Sequence, residues 1–220
     1  MRLFLASNDL GDFPEKLYAL VGMNRKTLVI SNARDHRSEA DRRAIVDEDL
    51  GIITNCGLLP TELDLRSYLN KPNELKNYID SFQPGCIFAM GGNIYSLATA
   101  LNLSGMAEII KNDLAKDKYV YAGYSAGSMN ASEDLIYYHD SYGKRTGDRI
   151  EEAKSIYGTV ITKGLNLIKE YICPHADEDK FSDVCHSAEK SLLQHGLTPI
   201  VLNNSDVVIV DNNELKIYKK

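Results

Sequence analysis

The chain has 220 residues, 44 % of them apolar, and a formal net charge of −6. That length suits one domain with a real core, with room for a flap or insert. The basic residues are scattered without a run, which argues against nucleic acid or an anionic membrane surface as the main partner. Cys56, Cys86, Cys173 and Cys185 have no metal-like spacing and read as free thiols of a reducing compartment. No apolar stretch is long enough to span a bilayer, and MRLFL is followed at once by Asn8, Asp9 and Asp12 rather than by a secretory pattern. The expected location is the cytoplasm.

In chain order, LFLA (3–6) and TLVIS (27–31) read as strands, and 38–56 as a helix stopping near Gly57. LLPTELDL (58–65) holds a strand for which Pro60 argues an edge position or a late start. A helix over 73–81 leads to the strand CIFAM (86–90). The stretch 94–113 is helical with a break at Gly105, and YVYAG (119–123) is another strand. Residues 141–159 are polar with a poor period and read as a loop near a site or a surface excursion. DVVIV (206–210) and LKIYK (215–219) flank an Asn pair and read as a terminal hairpin. Short apolar strands alternating with helices predict an α/β fold, with a mostly parallel sheet covered on both faces.

Gly123-Tyr124-Ser125-Ala126-Gly127 follows a strand and has the nucleophile-elbow pattern, in which glycines relieve crowding at a sharp strand-to-helix turn and leave the serine exposed. The Ala126 N–H would face developing negative charge. A strand–turn–helix junction with a capping serine fits the same five residues. Gly91-Gly92-Asn93 follows a second strand, so Gly92 offers a second backbone donor to the same oxyanion, while Asn93 also reads as a helix cap. A serine nucleophile needs a base. Of five histidines, His175 in YICPHADED looks delivered by a strand end. His36, His139, His186 and His195 fit loops, helices or a C-terminal cap better. Asp140 lies between Ser125 and His175 and is the preferred orienting acid. Glu133 is its main rival, and Asp177 and Asp179 stay open.

LFLASN, GGNIYSLA, AGYSAGSMNAS and ICPHAD, in this order, resemble peptidase family S51, the aspartyl dipeptidase and cyanophycinase group. The resemblance implies a fold like that of class I glutamine amidotransferases. It also implies Ser125 as nucleophile, His175 as base, Asp140 as the acid, and the Gly92 and Ala126 N–H groups as oxyanion donors. Dipeptidases of the family carry an arginine in a Gly-Glu-Thr-Arg segment after the histidine. Here that segment is EDKFSDVCHSAEKS, whose basic groups are Lys180, His186 and Lys190. A lysine lacks arginine's bidentate fork, so the expectation is no strong preference for Asp-X dipeptides. Asn93 and Lys190 are candidate substrate contacts, with Arg34 and Arg37 next after Lys190 as partners for a substrate carboxylate. The expected function is a serine peptidase of small peptides with no cofactor or metal implied. The alternatives are an esterase or thioesterase with the same residues, or a binding protein on the same fold.

Overall fold

The computed structural model describes residues 1–139, 149–212 and 214–220, so Asp140 lies outside the described residues. Five parallel strands form the centre: β1 (Arg2–Ala6), β2 (Lys26–Ile30), β3 (Leu59–Leu63), β4 (Cys86–Ala89) and β5 (Val120–Tyr124), in the order β3-β2-β4-β5-β1. β6 (Tyr171–Cys173) and β7 (Pro199–Val201) make a separate parallel pair. The C-terminal hairpin of β8 (Val207–Asp211) and β9 (Glu214–Tyr218) extends the large sheet, with β8 antiparallel to β1.

The apolar runs are explained by burial on both sides. In β1, Leu3 and Leu5 enter one core and Phe4 and Ala6 the other; in β4, Ile87 and Ala89 oppose Cys86 and Phe88. Helices α1 (Pro14–Val21) and α2 (Glu39–Asn55) cover one face through Leu17, Val46 and Ile53. Helices α3 (Pro72–Phe82), α4 (Ile94–Leu103) and α5 (Met106–Leu114) cover the other through Leu75, Leu97 and Ile110. Each such side chain contributes roughly 1.5–3 kcal/mol on burial. Among the described residues, no helix is long and apolar enough to cross a membrane.

Local signals place most boundaries. The Ser38 hydroxyl accepts the Asp41 N–H and starts α2. Gly105, at φ +80°, separates α4 from α5. Pro60 sits on the edge strand β3, where its missing N–H leaves no ladder bond unmade. A short helix, α6 (Ala126–Met129), follows β5. Two helices depart from the sequence expectation. α1 had no assignment, and α7 (Arg149–Tyr157) stands inside the stretch read as a loop. α7 buries only Ala153, so its period is faint. Tertiary bonds hold it instead: Asn93 donates to Arg149 O and Glu152 Oε2, and the Tyr157 hydroxyl donates to Asp35 at 2.5 Å. The last helix, α8 (Ser182–Gln194), connects β6 to β7.

Because the central strands are parallel, the segments after β1, β2, β4 and β5 gather along one edge of the sheet. Those segments carry Ser7, Arg34, Gly91-Gly92 and Ser125.

Candidate active site

Ser125 joins β5 to α6 at φ +48°, ψ −113°, a conformation that costs a serine about 1–3 kcal/mol. Its N–H is held by Ala6 O and Ser7 O at 3.2 and 3.1 Å. From Tyr119 to Ser132 it is the one residue that is not buried. The flanking glycines let the turn pack against the end of β4. A Cβ on Gly127 would lie 2.1 Å from Ala89 O, and one on Gly123 would lie 2.9 Å from the Gly127 carbonyl carbon. The loop after β4 presses on the elbow from the side, since a Cβ on Gly91 would meet the Tyr124 ring at 2.5 Å and Ser125 Cβ at 3.1 Å. Gly92 has φ +143° and no room for a side chain against Ala33 O. Among the described residues, neither the Gly92 N–H nor the Ala126 N–H donates to a backbone carbonyl.

His175 follows β6 and Pro174. Its Nε2 lies 3.0 Å from Ser125 Oγ. Its Nδ1 lies 2.7 Å from Asn204 Oδ1 and 3.4 Å from Glu178 Oε2. Asn204 is fixed in turn: its side-chain NH₂ donates to Glu178 Oε2 and its backbone N–H to Asp177 Oδ1. With two oxygens facing Nδ1, the proton belongs there, and the Nε2 lone pair is left for the serine hydroxyl. The backbone of His175 is at φ +65°, and its N–H donates to Ser7 Oγ at 2.8 Å. Ser7 also reaches Leu202 O at 3.4 Å, so one hydroxyl after β1 ties together the segments leaving β6 and β7.

The elbow and the histidine open onto a cleft of about 470 Å³. Among the described residues its lining carries four cationic side chains, Arg34, Arg37, Arg149 and Lys180, against the single carboxylate of Glu178. His36 also lines it, with its pKa pushed down chiefly by burial. Arg149 Nη1 donates to Gly92 O at 2.7 Å, which links α7 to the glycine loop.

A family model described as Peptidase family S51 matches residues 27–218. The chain belongs to peptidase family S51. Hydrolase chemistry comes with that membership. The S51 chain is similar over its whole length to two solved structures. One is a putative peptidase E protein from Listeria monocytogenes EGD-e, at 19 % identity and TM-score 0.75, covering 98 % of that chain. The other is a peptidase from an acI-B1 actinobacterium, at 18 % identity and TM-score 0.69, covering 87 % of that chain. At such identities they establish the fold, which has the α/β, amidotransferase-like arrangement expected from the sequence. No curated protein matches.

In this S51 chain Ser125, His175 and the Gly91-Gly92 loop come together. Asn93 caps α4 by accepting the Tyr95 and Ser96 N–H groups. It is fully buried and lies outside the cleft lining. Lys190 is exposed on α8 and also lies outside the lining. Among the described residues the partners of His175 Nδ1 are Asn204 and Glu178; Asp177 supports Asn204 instead. Ser7, Asn204, Glu178 and Arg149 were not read from the sequence. Glu178 had one visible signal, its place three residues after His175.

Behind the elbow, the Tyr124 hydroxyl donates to Asp49 Oδ2 on α2 at 2.6 Å. Burial raises Asp49 from its ordinary 3.8 to about 6, with Asp9 and Glu48 adding to the rise and the Tyr124 bond and Arg34 opposing it. The folded state thus holds this proton more tightly than the unfolded chain. The associated stability is fully present below the unfolded value of 3.8 and is lost as pH rises through about 6. Asparagine mimics the protonated acid. Asp49→Asn is therefore expected to stabilise the protein at pH 7.5, by up to about 3 kcal/mol, and to match the parent at pH 3.5. Denaturant melts at the two pH values check this, and an equal effect at both would contradict it.

Proposed function

We propose that the whole chain, 1–220, is one catalytic domain: a serine peptidase that hydrolyses small peptides carrying an acidic side chain. The observation that carries this reading is the 3.0 Å approach of His175 Nε2 to Ser125 Oγ, with Nδ1 engaged on the far side of the ring. Ser125 attacks the scissile carbonyl as Nε2 takes its proton. The oxyanion of the tetrahedral intermediate is met by the Gly92 and Ala126 N–H groups. His175 then hands the proton to the departing amine, and water, activated by the same imidazole, releases the acyl group. A cleft of about 470 Å³ suits a dipeptide-sized ligand.

The acidic preference rests on the four cations of the cleft and departs from the expectation drawn from the segment after His175. Hydrolysis of Asp-Leu, Ala-Leu and Leu-Leu tests both parts. The expected outcome is turnover with kcat/KM for Asp-Leu at least ~10-fold above Ala-Leu, about 1.4 kcal/mol of transition-state binding. A chain that hydrolyses no dipeptide and is not labelled by a fluorophosphonate serine probe would sink the serine mechanism.

For the third member of the catalytic set, the reading favours the Asn204–Glu178 pair over Asp140. Glu178→Gln and Asn204→Ala are each expected to lower kcat by ~10–100-fold with KM changed little, because both loosen the hold on the Nδ1 proton. Asp140→Asn is expected to stay within about threefold of the parent on the same argument. The opposite ranking would return the role to Asp140 and leave Ser125 and His175 untouched.

A further inference from the structure

We infer that Asp49 and Tyr124 are positioning residues that hold Arg34 at the cleft as a carboxylate-reading arm. The inference rests on the acidic-substrate reading above. Tyr124 is the residue before the nucleophile, and its ring runs beside Gly91 into the core behind the elbow, packing near Phe88. There its hydroxyl has two partners of opposite charge. It donates to Asp49 Oδ2 at 2.6 Å and accepts from Arg34 Nη2 at 3.1 Å. A neutral hydroxyl between a carboxylate and a guanidinium strengthens both bonds by polarisation. The arm is thereby fixed to the side chain next to Ser125.

Its base is fixed as well. Arg34 ends the short helix Asn32–Arg34 after β2, and the following Asp35 is clamped by Asn32, Arg42 and Tyr157. Arg34 still has donors to offer. Its Nε–H is buried and has no acceptor among the described residues, and the side chain lines the cleft. The rival cations are held differently: Arg149 bonds the Gly92 carbonyl, Lys180 lies over the Phe181 ring, and Arg37 is exposed. A buried carboxylate that costs the folded state stability near neutral pH is explained by the guanidinium it holds through Tyr124.

Calorimetric binding to the Ser125→Ala protein tests the arm without requiring turnover. The ligands are Asp-Leu and its uncharged isostere Asn-Leu. The Ser125→Ala protein is expected to bind Asp-Leu more tightly, and Arg34→Ala to reduce that preference ~10-fold or more. Tyr124→Phe and Asp49→Asn are each expected to reduce it ~3–10-fold, and to change it less than twofold once Arg34 is already alanine, because residues acting through one group are not additive. Melting curves accompany each variant. Should Asp49→Asn fail to fold, Tyr124→Phe carries the same test. The inference falls if Tyr124→Phe and Asp49→Asn leave the preference intact, if they act equally with and without Arg34, or if Asp-Leu and Asn-Leu bind alike. Preferential Asp-Leu binding by a chain that cleaves no dipeptide would overturn the peptidase reading and leave the arm standing. Cleavage without preferential binding would do the reverse.

Discussion

Replacing Ser125 with alanine is expected to lower kcat for dipeptide hydrolysis by at least ~10⁴-fold, since the remaining imidazole and oxyanion donors have no nucleophile to serve. The fold should hardly notice. Among the described residues, the hydroxyl has one protein hydrogen bond, to His175, and a bond of that kind contributes about 1 kcal/mol. In a chain of this size that is about 2–4 °C of melting temperature. The positive φ strains alanine as much as serine, so the turn itself is unchanged. Folded Ser125→Ala protein that keeps more than about a tenth of parental turnover would rule out the serine as nucleophile.

Gly127→Ala should do the opposite and damage the fold first. Its Cβ would sit 2.1 Å from Ala89 O, 2.8 Å from the Ala89 carbonyl carbon and 3.1 Å from Ala89 Cβ. All three atoms belong to the end of a central strand, so no flexible side chain can step aside. Opening more than an ångström between β4 and the elbow is expected to cost about 3–5 kcal/mol, above the usual range for overpacking because only backbone and Cβ atoms are in the way. That predicts a melting temperature lower by ~10 °C or more. Gly22→Ala is the control. Gly22 also has a positive φ, +76°, but nothing lies within 4 Å of the added carbon, so only the backbone strain of about 1–3 kcal/mol remains. If the two variants melt alike, steric crowding does not explain the second glycine of the elbow.

These two cases show what kind of information sequence carries well. The elbow is local: a strand, a five-residue pattern and a short helix are contiguous, and each leaves its own signature. The strands were legible because burial on both faces writes an uninterrupted apolar run, and the edge position of Pro60 and the break at Gly105 come from the backbone chemistry of single residues. His175 was legible because a strand and a proline lead straight into it. Asn204 was not. It meets the imidazole only because β6 and β7 are parallel neighbours that end at the same edge, and a polar loop such as NNSD has no pattern that announces this. Arg149 was hidden for the same reason. Reading the segment after His175 found Lys180, and Arg34 and Arg37 after β2 stood only behind Lys190 as candidates, whereas Arg149 comes from a helix too weakly amphipathic to be recognised. Asp140 was favoured by its rank order along the chain; it lies outside the described residues, and the variants of Glu178, Asn204 and Asp140 decide between it and the Asn204–Glu178 pair.

The tie made by Ser7 has a consequence for how the protein comes into being. The hydroxyl after the first strand accepts the His175 N–H across 168 residues of chain and reaches Leu202 across 195. Contacts this distant in sequence carry a large loop-closure cost and form late. On the ribosome the order is stricter, because the elbow is synthesised long before the base, and the base before the asparagine that turns its ring. The emerging chain therefore holds a serine without its histidine partner until 50 further residues have been added, and that histidine without Asn204 for 29 more. The site therefore comes together only when these distant contacts close.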